Sequence, residues 1–159
     1  MLTSFARSLI CFVGVALVPS SLLAGVLPRT VPFLVEALKY EPYWVRVEIV
    51  DALSEGAKVG DPTAVPALIE VLNDDSEKVR RKAVDAFVQI GNAAVPALVE
   101  ALKNDSYTVR DALAGIGKPA VRALIEALKD DSENVRAGAA DVLGKIGDPA
   151  TVSALVEVA

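Results

Sequence analysis

A pattern of sixteen residues recurs along the chain, and a repeat on this scale decides the architecture before any other feature is weighed. Val31-Pro-Phe-Leu-Val-Glu-Ala-Leu-Lys-Tyr-Glu-Pro-Tyr-Trp-Val-Arg46 returns as Val65-Pro-Ala-Leu-Ile-Glu-Val-Leu-Asn-Asp-Asp-Ser-Glu-Lys-Val-Arg80. It returns again as Val95-Pro-Ala-Leu-Val-Glu-Ala-Leu-Lys-Asn-Asp-Ser-Tyr-Thr-Val-Arg110 and as Val121-Arg-Ala-Leu-Ile-Glu-Ala-Leu-Lys-Asp-Asp-Ser-Glu-Asn-Val-Arg136. A further copy starts at Val152-Ser-Ala-Leu-Val-Glu157. No copy can bury its own apolar face, so neighbours must stack and share one core. The units span residues 31–64, 65–94, 95–120 and 121–151, with a partial one at 152–159.

Each unit resolves into two helices. In the fourth, Val121, Leu124, Ile125 and Leu128 fall at i, i+3, i+4 and i+7, which is one helical face, and Glu126 and Lys129 are left toward water. Asp131-Ser132 stops this helix. Ser132 is the expected N-cap of the next one, where Glu133 meets the positive end of the helix dipole. The second helix runs through Val135, Ala139, Val142, Leu143 and Ile146, and Gly147 supplies a left-handed cap. Asp148-Pro149 opens the following unit, aspartate as cap and proline in the first turn.

The sixteen-residue pattern, closed by Leu143-Gly-Lys-Ile-Gly-Asp-Pro149, resembles the HEAT-like repeats named after phycobilin lyase subunits, over residues 31–159. The resemblance implies an all-α fold: a right-handed α-solenoid of about four and a half HEAT-like helix pairs, with the second helices lining a concave binding face. Residues 29–159 are then the repeat domain and residues 1–28 stand apart from it. For function the resemblance is broad, because such repeats serve in chromophore lyases, in regulatory subunits and in bare scaffolds.

Two columns of charge run through the alignment. Arg46, Arg80, Arg110 and Arg136 share one position, with Glu41, Asp75, Asp105 and Asp131 five residues before them. Asp51, Asp85 and Asp141 stand five residues after Arg46, Arg80 and Arg136. Catalytic groups rarely recur once per repeat, whereas packing devices do. The columns therefore read as a structural ladder that joins each repeat to its neighbour.

Function is expected where the units depart from one another. The third unit lacks four residues after Arg110, slightly more than one helical turn, so a notch or a change of curvature is expected there. The first unit is longer around Ser54–Val59 and carries Tyr40, Tyr43 and Trp44. Tyr43, Glu77, Tyr107 and Glu133 share a column at the start of the second helices and predict a ridge along one edge. Exposed Tyr and Trp are frequent binding anchors, so Tyr43, Trp44, Glu77, Tyr107 and Glu133 are the candidate partner-binding residues. A cover over the open end of the first repeat is the competing role for Trp44.

Composition narrows the chemistry. There is no histidine, and the single cysteine, Cys11, lies in the apolar N-terminal stretch. A general base of the commonest kind, a thiolate nucleophile and a zinc site are all without residues in the repeat domain. No phosphate loop and no metal-ligand cluster is present, so no catalytic residue, metal or cofactor is expected. A net charge of -5 opposes nucleic acid as a partner. The basic run Lys78-Val-Arg-Arg-Lys82 reads as a solvated helix face holding one structural arginine.

From Ser8 to Pro28 there is no charged residue, and Leu9–Val18 forms a compact apolar run behind Arg7. Three arrangements fit: a cleaved signal peptide, an uncleaved membrane anchor, and an apolar helix capping the solenoid. The first two make the protein exported (periplasmic or extracellular) or membrane-anchored, with membrane contact only through residues 8–28. At the other end Val152, Leu155, Val156 and Val158 predict end-to-end self-association through 152–159. The function expected from all this is a non-catalytic scaffold for a protein or peptide. The alternative is a phycobilin-lyase-like or lyase-chaperone subunit, suggested by the resemblance and opposed by the leader.

Overall fold

The computed structural model describes residues 31–149. The expectations placed on residues 1–28 and on 152–159 lie outside the described residues. Within them the chain is helical and contains no strand.

Helix α1 (residues 31–38) leads into α2 (Tyr43–Lys58), and α3 (Ala64–Val71) into α4 (Glu77–Ile90). Then α5 (Val95–Ala101) precedes α6 (Tyr107–Ile116), and α7 (Val121–Ala127) precedes α8 (Glu133–Ile146). Single 3-10 turns at Gly91–Ala94, Leu102–Asn104 and Lys118–Ala120 complete the connections. The second helices pack side by side, α2 on α4, α4 on α6 and α6 on α8. Helices α3, α5 and α7 form a second rank against them.

The apolar periods explain this packing. From the first helices Leu68, Leu98 and Leu124, and just beyond them Leu72, Leu102 and Leu128, enter the seam between the ranks. From the second helices come Val45, Val79, Val109 and Val135, followed by Leu53, Phe87, Leu113 and Leu143. All are buried, and burying a side chain of this size stabilises the fold by about 1.5–3 kcal/mol.

Gly147 adopts φ 64 and ψ 25, the left-handed cap the sequence requires. The start of the same helix differs from expectation. Ser132 occupies the cap position, yet its hydroxyl bonds no helix N–H. Instead Asp130 Oδ1 accepts the Ser132 N–H at 2.8 Å, and Asp74 Oδ1 accepts the Ser76 N–H at 2.8 Å. An aspartate two residues upstream closes an Asx turn and so fixes the angle between the two helices of a unit. In the third unit Asn104 stands at that place. There the chain winds one 3-10 turn and sets Asp105 in the left-handed region at φ 50.

The lost turn is visible directly: α6 has 10 residues where α4 and α8 each have 14. The C-terminal half of α6 lies close against α4, and a Cβ on Gly115 would stand 2.6 Å from Val88 Cγ2. That distance is shorter than packed carbon atoms tolerate. Gly115→Ala is therefore expected to lower stability by about 1–2 kcal/mol, overlap outweighing the gain in helix propensity. With Val88→Ala already present, the same change should raise stability. Chemical denaturation of the four proteins in this cycle reads the reversal of sign.

Candidate binding surface

Tyr43, Glu77, Tyr107 and Glu133 are the first residues of α2, α4, α6 and α8, and all four are exposed. Tyr43 is 45% exposed, Trp44 51% and Tyr107 55%. Two neighbouring contacts tie the row together. Lys78 Nζ lies 5.1 Å from the centre of the Tyr43 ring, a cation–π contact, and Glu77 and Tyr107 line a common cleft.

The exposed aromatics of the first unit extend beyond Tyr40, Tyr43 and Trp44 to Phe33 on α1. The signal was present in the alignment, since Ala67, Ala97 and Ala123 occupy the same column as Phe33.

The arginine column meets the residue five positions earlier in every unit, but through an atom the sequence does not name. Arg46 donates to the Glu41 carbonyl at 2.9 Å, Arg80 to those of Asp74 and Asp75 at 2.6 and 3.1 Å, and Arg136 to those of Asp130 and Asp131 at 2.8 Å each. Carbonyls in the loop after a helix have no backbone partner, and the guanidinium fork takes them. Arg110 alone reaches a carboxylate there, Asp105 at 3.3 Å, in the unit whose loop differs. Thus Arg80 and Arg136 clamp their own units. Arg46 and Arg110 in addition reach the next one, Arg46 at Asp74 (2.8 Å) and Asp75, Arg110 at Asp141 (3.6 Å).

The aspartate column divides as well. Asp51 pairs with Lys82 of the next unit at 2.8 Å, and Asp141 with Arg110 and with Lys145. Asp85 makes no ion pair among the described residues and lies on the cleft. Further links between units went unseen in the sequence, among them Thr108 Oγ1 donating to the Leu72 carbonyl at 2.8 Å and Asn134 Nδ2 to the Lys103 carbonyl at 2.9 Å. Both residues share the alignment position of Trp44 and Lys78, and a run of polar side chains in that column is the signal that would have found them.

The cations of the basic run all have partners within the protein. Lys78 covers Tyr43, Arg80 holds loop carbonyls, Arg81 pairs with Glu77 at 2.6 Å and Lys82 with Asp51. No cluster of metal-ligating side chains occurs among the described residues, and no helix there is long and apolar enough to cross a membrane.

A cleft of about 250 Å³ opens between α4 and α6, lined by Glu77, Arg80, Arg81, Val84, Asp85, Tyr107, Thr108 and Asp111. It lies beside the shortened helix, where the deletion led the sequence reading to expect a notch.

A family described as HEAT repeats matches residues 31–115 and again residues 109–159. No curated protein matches the chain.

Among the inter-unit ion pairs, Arg46–Asp74 is the most enclosed. Burial alone pushes the Asp74 carboxyl up, but the hydrogen bonds from Arg46 and from the Ser76 N–H outweigh it and hold the group below its ordinary value of 3.8. A depressed carboxylate stabilises the fold above that ordinary value, and the contribution is lost as pH falls through the folded-state value. Asp74→Asn should cost about 1–2 kcal/mol at neutral pH. The gap between the two proteins should then narrow as pH falls below 3.8. Urea titrations across that range measure it, and a gap of constant size would contradict the assignment.

Proposed function

The chain belongs to the HEAT repeat family, and we propose that it works as a non-catalytic scaffold whose rank of second helices binds a protein or peptide partner. Repeats of this family generally mediate protein–protein interaction. The observation that carries the reading for this chain is the placement of its aromatics. The core is built almost wholly of Ala, Val and Leu, while Tyr43, Trp44 and Tyr107 stand half in water at the starts of second helices. Large amphipathic rings presented from a rigid frame cost little entropy to immobilise, which suits them as anchors.

In this proposal the helix pairs wind as a right-handed solenoid of about four and a half units, with the second helices on its concave side. The cations of residues 78–82 are engaged internally and the net charge is -5, which favours a protein over a nucleic acid. The charge-free stretch from Ser8 to Pro28 favours a protein that works exported or tethered to a membrane.

A photo-crosslinking residue in place of Trp44, Tyr107 or Arg122 tests the face in the source cells. Arg122 lies on α7 in the other rank and its side chain is 94% exposed. Protein adducts are expected from the first two positions and not from Arg122, in the membrane or exported fraction, with the N-terminus of the adduct read by mass spectrometry. Equal labelling at Arg122, or adducts with nucleic acid, would contradict the proposal.

A further inference from the structure

The junction between α4 and α6 is built differently from those on either side. Between α2 and α4, Lys82 pairs with Asp51 at 2.8 Å, Lys58 bonds Gln89 at 3.0 Å, and Lys78 lies over Tyr43. Between α6 and α8, Arg110 meets Asp141 and Lys145 meets Asp111, at 3.6 and 3.3 Å. Between α4 and α6 no ion pair or side-chain hydrogen bond crosses from helix to helix among the described residues. The cleft of about 250 Å³ stands there instead.

The lost turn explains the difference. Lys82, two residues after Arg80, reaches back from α4 to Asp51. The residue that would reach back in the same way from α6 to Asp85 falls within the four that follow Arg110 in the other units and are missing here. Asp85 therefore keeps the acidic half of a pair that the neighbouring helix does not complete. The lysine nearest in sequence, Lys82, is hydrogen-bonded to Asp51 and acts on Asp85 only as a neighbouring charge.

The other charges of the cleft are already engaged. Arg81 is paired with Glu77, Arg80 with loop carbonyls, and Asp111 with Lys145. Arg80 Nε is buried without a partner, but so is Arg46 Nε at the same repeat position away from the cleft. That orphan belongs to the arginine clamp and does not call for an anion. Tyr107 and Val84 supply an apolar wall. The ring of Tyr107 also lacks the cation that covers Tyr43: the α8 residue aligned with Lys78 is Asn134, whose amide is turned to the Lys103 carbonyl.

We propose that this cleft receives a lysine or arginine side chain of the protein partner, its charge on Asp85 and its stem or guanidinium against the Tyr107 ring. The assignment rests on the scaffold reading and names the partner's chemistry at one point. Both halves of the contact occur inside the protein one junction away, as Lys82 on Asp51 and Lys78 on Tyr43. A partner supplies from outside what the deletion took away, through a charge-assisted hydrogen bond and a cation–π contact.

The test is titration of the isotope-labelled full chain, followed by amide NMR, with the peptide acetyl-Gly-Ser-Arg-Ser-Gly-amide and with its glutamine counterpart. The arginine peptide is expected to shift the amides of Asp85, Tyr107 and Asp111, and the glutamine peptide to leave them in place. Asp85→Asn should weaken the arginine peptide about fivefold, with Asp85→Glu retaining it and added salt weakening it further. Thermal melts show that the variants are folded. Shifts confined to other surfaces, or an affinity that Asp85→Asn leaves unchanged, would overturn the assignment. If crosslinks at Trp44 and Tyr107 persist in that event, the scaffold reading stands and the cationic occupant falls; if they too are absent, the scaffold reading is the one that fails.

Discussion

Everything in this protein hangs on a seam of aliphatic side chains between two ranks of helices. The first helices are only 7 or 8 residues long from α3 onward, too short to hold as helices alone. They persist because Leu68, Leu98 and Leu124 are fully enclosed by the second helices of their own and neighbouring units. Stability is thus a property of junctions, and each junction depends on how well two second helices lie together. Small residues make the approach close: a Cβ added to Gly138 would stand 3.0 Å from Leu102 Cδ2, which leaves little room.

Polar groups then set the angle and register that the apolar seam alone would leave loose. The Asx turns at Asp74 and Asp130 shape the loop inside a unit, and the arginine column holds that loop from within. Links between units are less regular: Lys82–Asp51 at one junction, Arg110–Asp141 and Lys145–Asp111 at another, hydroxyl and amide bonds from Thr108 and Asn134 elsewhere. Inside a unit the frame repeats apart from the loop of the third, while the joints between units vary throughout, and that variation gives the surface its individuality.

The repeat made the helices, their caps at Gly147 and the buried faces legible from sequence, because those follow from periods of three and four residues and from one glycine. The arginine column was legible as a structural device, but the acceptor was not. Sequence displays the Asp75 and Asp131 side chains, while the atoms that bind Arg80 and Arg136 are their main-chain carbonyls. Ser132 was legible as the cap position, but not that its hydroxyl caps nothing and that the side chain shaping this loop is Asp130, which accepts the Ser132 N–H. The candidate surface was legible as a column of residues and a notch as a gap in the repeat, yet the lining of the cleft was not. Its walls come from α4 and α6 together, and what opens it is the absence of four residues, which leaves no side chain to read.

In the proposed binding mode the missing turn of the third unit is functional: the frame would be more regular with it, and the binding surface would be lost. Inserting Arg-Lys-Ala-Val, the sequence of residues 81–84, after Arg110 would restore α6 to 14 residues and return a lysine to the place from which Lys82 reaches Asp51. The measurement is the affinity of this insertion variant for the arginine peptide beside its unfolding free energy. The expected result is a protein at least as stable as the parent that no longer binds the peptide at the cleft. An insertion variant that folds as well and binds as well would contradict it.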